Sequence, residues 1–126
     1  MDTIDLDRAF AAITEPWSPR IAGELNGQQV RLARLRGSFV WHHHEHEDEM
    51  FLVHRGRFVM EFRDRRVEVR AGQFLIVPRG IEHRPVADDG DAEVILFEPA
   101  STLNTGSAPH DPRTIRVPRR LDDAGA

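Results

Sequence analysis

Turn-forming residues interrupt this chain at short intervals between residues 20 and 98, and their spacing constrains the fold more than any other feature. Asn26-Gly27 is a strong hairpin signal, because both turn positions favour positive φ. Further turn signals are Arg55-Gly56, Ala71-Gly72 and Pro78-Arg79-Gly80. Short apolar or alternating segments separate them at intervals of about 8–12 residues, the spacing of antiparallel sandwiches and barrels. Because no helical crossover separates these segments, the pattern disfavours a parallel sheet.

The predicted strands are the apolar and alternating segments between the turns. In chain order they cover residues 20–25, 28–35, 38–44, 49–54, 57–62, 67–69, 74–77, 83–86 and 93–97, and residues 87–91 are predicted to form a polar loop. We therefore predict an all-β fold.

The two ends of the chain have a different character. Residues 2–14 hold the one convincing helical pattern, with Asp2 or Thr3 as its expected cap, and the prolines at 16 and 19 end it. From Pro99 onward the chain is rich in Pro, Ser, Thr, Gly and Asp. We expect one domain over residues 1–126: an N-terminal helix and linker (1–19), a barrel (20–98) and an extended tail (99–126). The tail is expected to lie over the barrel or a partner, with a disordered end.

The nine residues from Trp41 to Glu49 combine four histidines with four carboxylates. A solvated charged loop or an unspecific metal-scavenging tract would have this composition. However, apolar residues stand on both sides, at 39–41 and 50–53, and each group is typical of a buried strand. Polar side chains held between two core strands are fixed in position, which favours a specific metal site.

Four residues are the predicted metal ligands. On a strand His42 and His44 point to the same side, and Glu49 returns to them if the next strand folds back antiparallel. His83 is the one other histidine placed just after a buried strand and a tight turn. Three imidazoles and one carboxylate suit Fe(II), Mn(II), Ni(II), Cu(II) or Zn(II), so the predicted cofactor is one divalent ion of undetermined identity.

Weaker expectations attach to the other histidines. His43 is expected to face away from the site, in packing or at the surface. His46 is expected to face solvent, with a fifth, exchangeable ligand or a group supporting a ligand as the alternative. His54 and His110 are predicted at the surface.

The sequence also predicts the positions of aromatic, apolar and arginine side chains near these segments. Phe39 and Trp41 are predicted on the outer face, in core or subunit contacts. Four apolar residues are expected to line a largely apolar cavity or to form the core: Phe51, Val53, Phe58 and Met60. Three arginines near the site are expected to be solvated: Arg57, Arg79 and Arg84.

Composition excludes several classes of function. The net charge of −4 does not indicate the basic surface that binds nucleic acid. The absence of cysteine removes thiolate sites, and all 17 cationic residues are arginine, which removes a lysine Schiff base or base. The apolar runs are far shorter than a membrane span of about 20 residues. The start of the chain lacks a signal-peptide pattern, so we expect a cytoplasmic protein.

Two segments resemble the motifs of the cupin family. Residues 37–56, Gly37…His42-x-His44-x4-Glu49-x6-Gly56, resemble the first motif, and residues 72–83, Gly72-x5-Pro78-x-Gly80-x2-His83, resemble the second. Four residues rather than five separate Gly37 from His42, and Ala87 stands where the second motif commonly has Asn. The resemblance covers about residues 28–98. It implies a double-stranded β-helix, or jelly-roll barrel, which is usually dimeric. It also implies a metal held inside the barrel by His42, His44, Glu49 and His83.

Three functions stay open at this point. The sequence of the first motif, especially Trp41-His42-His43-His44 and residues 48–53, together with Asn104-Thr105-Gly106 in the tail, is similar to that of small single-domain cupins called mannose-6-phosphate isomerase-like. This similarity implies a metal-dependent enzyme acting on a sugar or keto-acid. The same ligand set suits an Fe(II)-dependent dioxygenase or a non-catalytic metal or metabolite sensor. In each case we expect a small-molecule ligand and a homodimer, with no nucleic acid or membrane partner.

Overall fold

One short helix and eight strands make up the part of the chain that the computed structural model describes, residues 2–122. The helix α1 spans Leu6–Ala11. The strands are β1 (Arg20–Leu25), β2 (Gln28–Ser38), β3 (Glu49–Arg55), β4 (Arg57–Phe62), β5 (Arg66–Arg70), β6 (Phe74–Val77), β7 (His83–Pro99) and β8 (Arg119–Arg120). The predicted all-β architecture is confirmed. None of the helices within residues 2–122 has the length and apolar character needed to cross a membrane.

The long strand β7 connects the two halves of the jelly roll. Along one edge it pairs with β2, and along the other its first part pairs with β4 and its second part with β3. The order of strands is β5-β4-β7-β2-β1-β8, with β3 and β6 branching from β7, so the barrel stays open. Every pairing between two of these eight strands is antiparallel except the two-residue contact of β1 with β8. β7 therefore reaches both layers that surround the core.

Two predictions about strand boundaries are wrong. The strand expected over residues 38–44 is absent, since β2 ends at Ser38 and only an isolated bridge between His42 and His83 follows. Gly37 has a φ of 73°, which bends the chain out of the regular ladder. The loop expected at residues 87–91 is a bulge within β7, because pairing with β2 shifts from Ala87 to Ala92.

The helix is shorter than predicted and begins later. Asp5, rather than Asp2 or Thr3, is its cap, because its backbone is extended and its carboxylate accepts a hydrogen bond from the Arg8 amide at 3.1 Å. One face of the helix buries Phe10, which packs with Ile13 against Leu32 of β2. This contact fixes the N-terminal segment on the outside of the barrel.

The core lies between the two layers of the barrel. Its buried members include the four apolar residues assigned to core or cavity: Phe51, Val53, Phe58 and Met60. The C-terminal segment from residue 100 to residue 122 is a series of turns that buries Thr102 and Thr105 and ends with β8 beside β1. The tail thus lies over the barrel, as one of the two alternatives predicted. The disorder predicted at its end concerns residues 123–126, which lie outside the described residues.

Candidate metal centre

The structure brings the four predicted ligands together inside the barrel. His42, His44, Glu49 and His83 are all buried, and one ligand atom from each lies within 4.8 Å of the others. Glu49 begins β3 and His83 begins β7, while the two other histidines stand on the irregular segment after β2. Residues from three separate parts of the chain therefore meet at one point.

Backbone contacts orient two of the imidazoles. His42 and His83 exchange backbone hydrogen bonds of 3.0 and 2.9 Å, which bring their ring centroids to 4.4 Å. The Nδ1 atom of each ring lies 2.8 Å from a carbonyl oxygen, that of Val40 or Ile81. Because a carbonyl can only accept, Nδ1 carries the proton in the neutral ring and Nε2 presents a free lone pair. Both rings are thus held in the tautomer that binds metal through Nε2.

Three buried atoms at the centre of the cluster lack a hydrogen-bond partner within residues 2–122: Nε2 of His44, Nε2 of His83 and Oε1 of Glu49. The carboxylate oxygen lies 3.3 Å from the first nitrogen and 3.6 Å from the second. A buried polar atom without a partner costs about 1–3 kcal/mol. A divalent cation placed among them would satisfy all three, so this donor set fits a metal ion.

The electrostatics of the cluster keep two donors in the form that binds metal. Burial, with a contribution from His83, lowers the pKa of His42 to about 4, so this imidazole is neutral near pH 7. Burial alone would raise the pKa of Glu49, but its contacts with Glu98, His44 and His83 hold it well below its usual value. Burial lowers the pKa of His44, yet its contact with Glu49 outweighs this and the net shift is upward.

The depressed pKa of His42 predicts a loss of stability in acid for the metal-free chain. The folded-state pKa of about 4 lies below the unfolded value of 6.5, so the stability is present above pH 6.5 and is lost as the pH falls towards 4. At pH 5 the titration of His42 alone is expected to lower the free energy of unfolding by about 2 kcal/mol. The raised pKa of His44 stabilises the folded state in acid and so opposes this effect. A variant of His42 is therefore needed to separate the two histidines.

Urea unfolding at pH 7.5 and pH 5, with a chelator present, measures this effect. Between pH 7.5 and pH 5 the free energy of unfolding should fall by about 2 kcal/mol less in His42→Gln than in the wild type. His110→Gln, at an exposed position, serves as the control and should behave as the wild type. Equal losses in His42→Gln and the wild type would contradict the assignment.

Glu98 is a site residue that the sequence interpretation missed. Its carboxyl group is buried, contacts Glu49 and lies 3.4 Å from the guanidinium of Arg31. Burial and the neighbouring charge of Glu49 raise the pKa of Glu98 well above its usual value, which favours a protonated Glu98 beside the ionised Glu49. The sequence offered one signal for Glu98. It follows Leu96 by two residues on β7, so both side chains lie on the same face of the strand.

The C-terminal tail also reaches the centre, which the sequence interpretation did not place there. The Ser107 amide donates to the His43 carbonyl at 2.9 Å, and the His43 amide donates to the Ser107 hydroxyl at 3.0 Å. Gly106 lies so close to His42 and His44 that an added Cβ would stand 3.1 Å from one ring and 3.0 Å from the other. The tail therefore closes one side of the histidine segment.

The other predicted histidines lie away from the cluster. His43 is half-buried and pairs with Glu45, while His46 and His110 are exposed as predicted. His54 is only partly exposed, because its ring stacks on Phe10 of the helix at 5.4 Å.

The prediction that Phe39 lies on the outer face is wrong. Its ring is buried inside the barrel, where it stacks on Trp17 at 4.6 Å and meets His42 edge-on at 5.4 Å. Strand alternation does not apply to it, because the chain has left β2 at this point. Trp41 does lie towards the outside, partly covered by Arg63 at 3.8 Å and Arg84 at 5.2 Å.

The three arginines expected to be solvated differ in exposure. Arg57 and Arg79 are exposed, and each pairs with a carboxylate. Arg84 is only 31% exposed, because it pairs with Glu61 and covers Trp41, so the prediction is wrong for this residue.

Comparisons with known proteins agree with the fold and the motifs. The family model of the cupin domain matches residues 29–98. A cupin-2 domain containing protein from Shewanella frigidimarina is 35% identical with a TM-score of 0.75, over 77% of this chain and 94% of that one. Protein NMB1881 from Neisseria meningitidis is 31% identical with a TM-score of 0.71, over 79% of this chain and all of that one.

A curated relative matches a shorter stretch. The uncharacterized protein YdbB of Bacillus subtilis (strain 168) is 40% identical over 62 residues, which make up 48% of this chain. The match spans 55%, about half, of the length of that relative. The family model, the two solved structures and the jelly-roll topology lead to one assignment: the chain belongs to the cupin family.

Proposed function

We propose that this cupin binds one divalent metal ion through His42, His44, Glu49 and His83 and acts on a small molecule beside it. One observation carries the proposal, namely the three buried ligand atoms at the centre of the cluster that have no hydrogen-bond partner among the described residues. Leaving three such atoms unsatisfied costs several kcal/mol, and a cation offsets this cost. The neutral His42 and the ionised Glu49 are both ready to bind it.

Metal analysis of the full-length chain tests this proposal. We expect about one Fe, Mn, Ni, Cu or Zn ion per chain after purification, or after chelation and reloading with Zn²⁺. Bound metal should also raise the urea midpoint, because the assembled site binds the ion more tightly than the unfolded chain does. A chain that takes up no divalent ion at micromolar concentration would contradict the proposal.

The proposed activity is that of a small metal-dependent enzyme. When bound, such an ion polarises an oxygen atom of the substrate as a Lewis acid. The chain itself holds the imidazoles in one tautomer, keeps Glu49 ionised, and covers the centre with apolar side chains such as Phe39 and Phe51. Isomerase-like turnover of a sugar or keto-acid stays a prediction, checked by assaying the loaded chain on aldose and ketose phosphates.

The second candidate is an Fe(II)-dependent dioxygenase. Four protein ligands leave two positions open on an octahedral ion, and an apolar cavity lies next to the cluster. Oxygen uptake by the Fe(II)-loaded chain with catechols, thiols and diketones tests this reaction, and uptake no faster than that of the His83→Ala chain contradicts it. A non-catalytic sensor stays the alternative, favoured by metabolite binding without chemical change.

Three further expectations stay predictions: a cytoplasmic location, a single domain over residues 1–126, and a homodimer. Of the two aromatic residues expected at the dimer contact, Phe39 is buried and offers no exposed side chain, whereas Trp41 lies towards the outside. Phe74 and Ile76 of β6 remain exposed and offer another apolar contact surface.

A further inference from the structure

A cavity of about 40 Å³ lies next to the proposed metal centre. His42, Glu49 and Glu98 form its polar end. The rest of its wall is mainly apolar and includes Trp17, Leu35, Phe39, Phe51 and Leu96. One water molecule needs about 10–15 Å³ of such space, so the cavity has room for a short carbon chain.

The apolar wall offers no partner for a polar group at the far end of a ligand. Within residues 2–122 the cavity lining contains neither lysine nor arginine. The nearby Arg31 is occupied, since its guanidinium donates to Gln29 and to the carbonyls of Ala100 and Thr102 at 2.8–3.0 Å. The amide of Asn104, which also lines the cavity, is bound on both sides by tail backbone groups. A hydroxyl or phosphate placed against the apolar side chains of this wall would lose its water without gaining a hydrogen bond.

Trp17 forms part of the wall in a strained backbone conformation. Its φ is 60°, which is unusual for a bulky residue, and such strain concentrates at ligand-binding sites. The indole Nε1 donates to the Arg36 carbonyl at 2.8 Å, and the Trp17 amide donates to the Arg34 carbonyl at 2.9 Å. These bonds to β2 hold the ring over the cavity against Phe39.

We propose that this cavity receives the apolar carbon chain of a small molecule whose oxygen function faces His42 and Glu49. The orientation rests on the proposed metal centre, whereas the preference for an apolar chain rests on the wall alone. The substrate class is therefore a short ketone, aldehyde, alcohol or acid with one oxygen-bearing end and a hydrocarbon remainder. Of the two substrate types proposed above, this class favours a keto-acid over a sugar or sugar phosphate, because the remaining hydroxyl or phosphate groups of a sugar would face the apolar wall.

Two matched probes test the preference: 2-pentanone and 4-hydroxybutan-2-one, which differ only in a terminal methyl or hydroxyl group. The full-length chain is titrated with each, with and without Zn²⁺, and the amide signals of Phe39 and Leu96 are followed by NMR. We expect 2-pentanone to bind at least about tenfold more tightly than its hydroxylated partner, with or without metal. Equal binding, tighter binding of the hydroxylated probe, or no saturable shift with either would overturn the proposal.

The role of Trp17 is tested by Trp17→Ala, with Trp41→Ala as the matched control on the outside of the barrel. Trp17→Ala should weaken 2-pentanone binding at least about fivefold and leave Zn²⁺ affinity within about twofold, whereas Trp41→Ala should change neither. Unchanged probe binding in Trp17→Ala would remove Trp17 from the wall. If this variant does not fold, the comparison of the two probes on the wild type still decides the main proposal.

The same samples separate this inference from the proposed function. Zn²⁺ binding is measured on each by equilibrium dialysis. A chain that binds Zn²⁺ but does not prefer 2-pentanone overturns only the inference about the cavity. A chain that prefers 2-pentanone but binds no metal overturns the metal centre and the assigned orientation, while the apolar cavity stands.

Discussion

His83→Ala is expected to lower the affinity for divalent metal by at least about 100-fold, because changes one layer outside a metal's ligands already cost about 10–100-fold. The substitution removes one of four donors and also the ring against which His42 packs at 4.4 Å. Water cannot replace the imidazole in a fixed position, since His83 is fully buried. Equilibrium dialysis with Zn²⁺ and Ni²⁺ measures the loss.

His42→Ala should show a loss of the same order, and His110→Ala should bind metal as the wild type does, because residue 110 is exposed and distant from the cluster in sequence. Urea unfolding of the metal-free variants confirms that each is folded before the comparison. Wild-type affinity in a folded His83→Ala chain would exclude this histidine as a ligand.

Gly106→Ala is expected to destabilise the chain by about 2–5 kcal/mol, the sum of a left-handed backbone and of overpacking. Gly106 has a φ of 48°, and an added Cβ would overlap the carbonyl oxygen of His43. The tail must then move away from the histidine segment, so metal affinity should fall as well. Urea unfolding and Zn²⁺ dialysis measure the two effects.

Gly72→Ala separates the cost of a left-handed backbone from the cost of overpacking. Gly72 also has a positive φ, 83°, but an added Cβ there would meet no atom within 4 Å. We expect this control to lose only about 1–2 kcal/mol and to keep its metal affinity. If both variants lose the same stability and neither loses metal affinity, the tail does not support the metal centre.

Much of the fold was predictable from local signals. Glycine-containing turns such as Asn26-Gly27 set the strand boundaries, and alternation of apolar residues identified the buried faces. The break after β2 was missed because Phe39-Val40-Trp41 is apolar enough to continue a strand, although Gly37 bends the chain just before it. The local sequence pattern does not reveal where the chain leaves one strand pairing for another.

His42, His44 and Glu49 were found because their spacing is local, and His83 because it follows a buried strand and a tight turn. The groups that surround these ligands were not found. Glu98 reaches Glu49 only because Met50 pairs with Phe97, and the register between distant strands cannot be read from one sequence. Trp17 and Gly106 reach the site through contacts with residues 17 or more positions away. Gly106 stands in the Asn104-Thr105-Gly106 segment that carries part of the family resemblance, but neither position has a sequence signal that indicates a contact with the ligands.

Trp17, Asn104 and Gly106 border the centre, yet all three stand outside residues 29–98, which match the family model. All four donors lie inside that matched segment, whereas part of the wall beside them is encoded outside it. Two relatives can keep identical donors while their terminal segments diverge and change what each accepts. Selectivity in such proteins should therefore be compared through the chain ends as well as through the shared central segment.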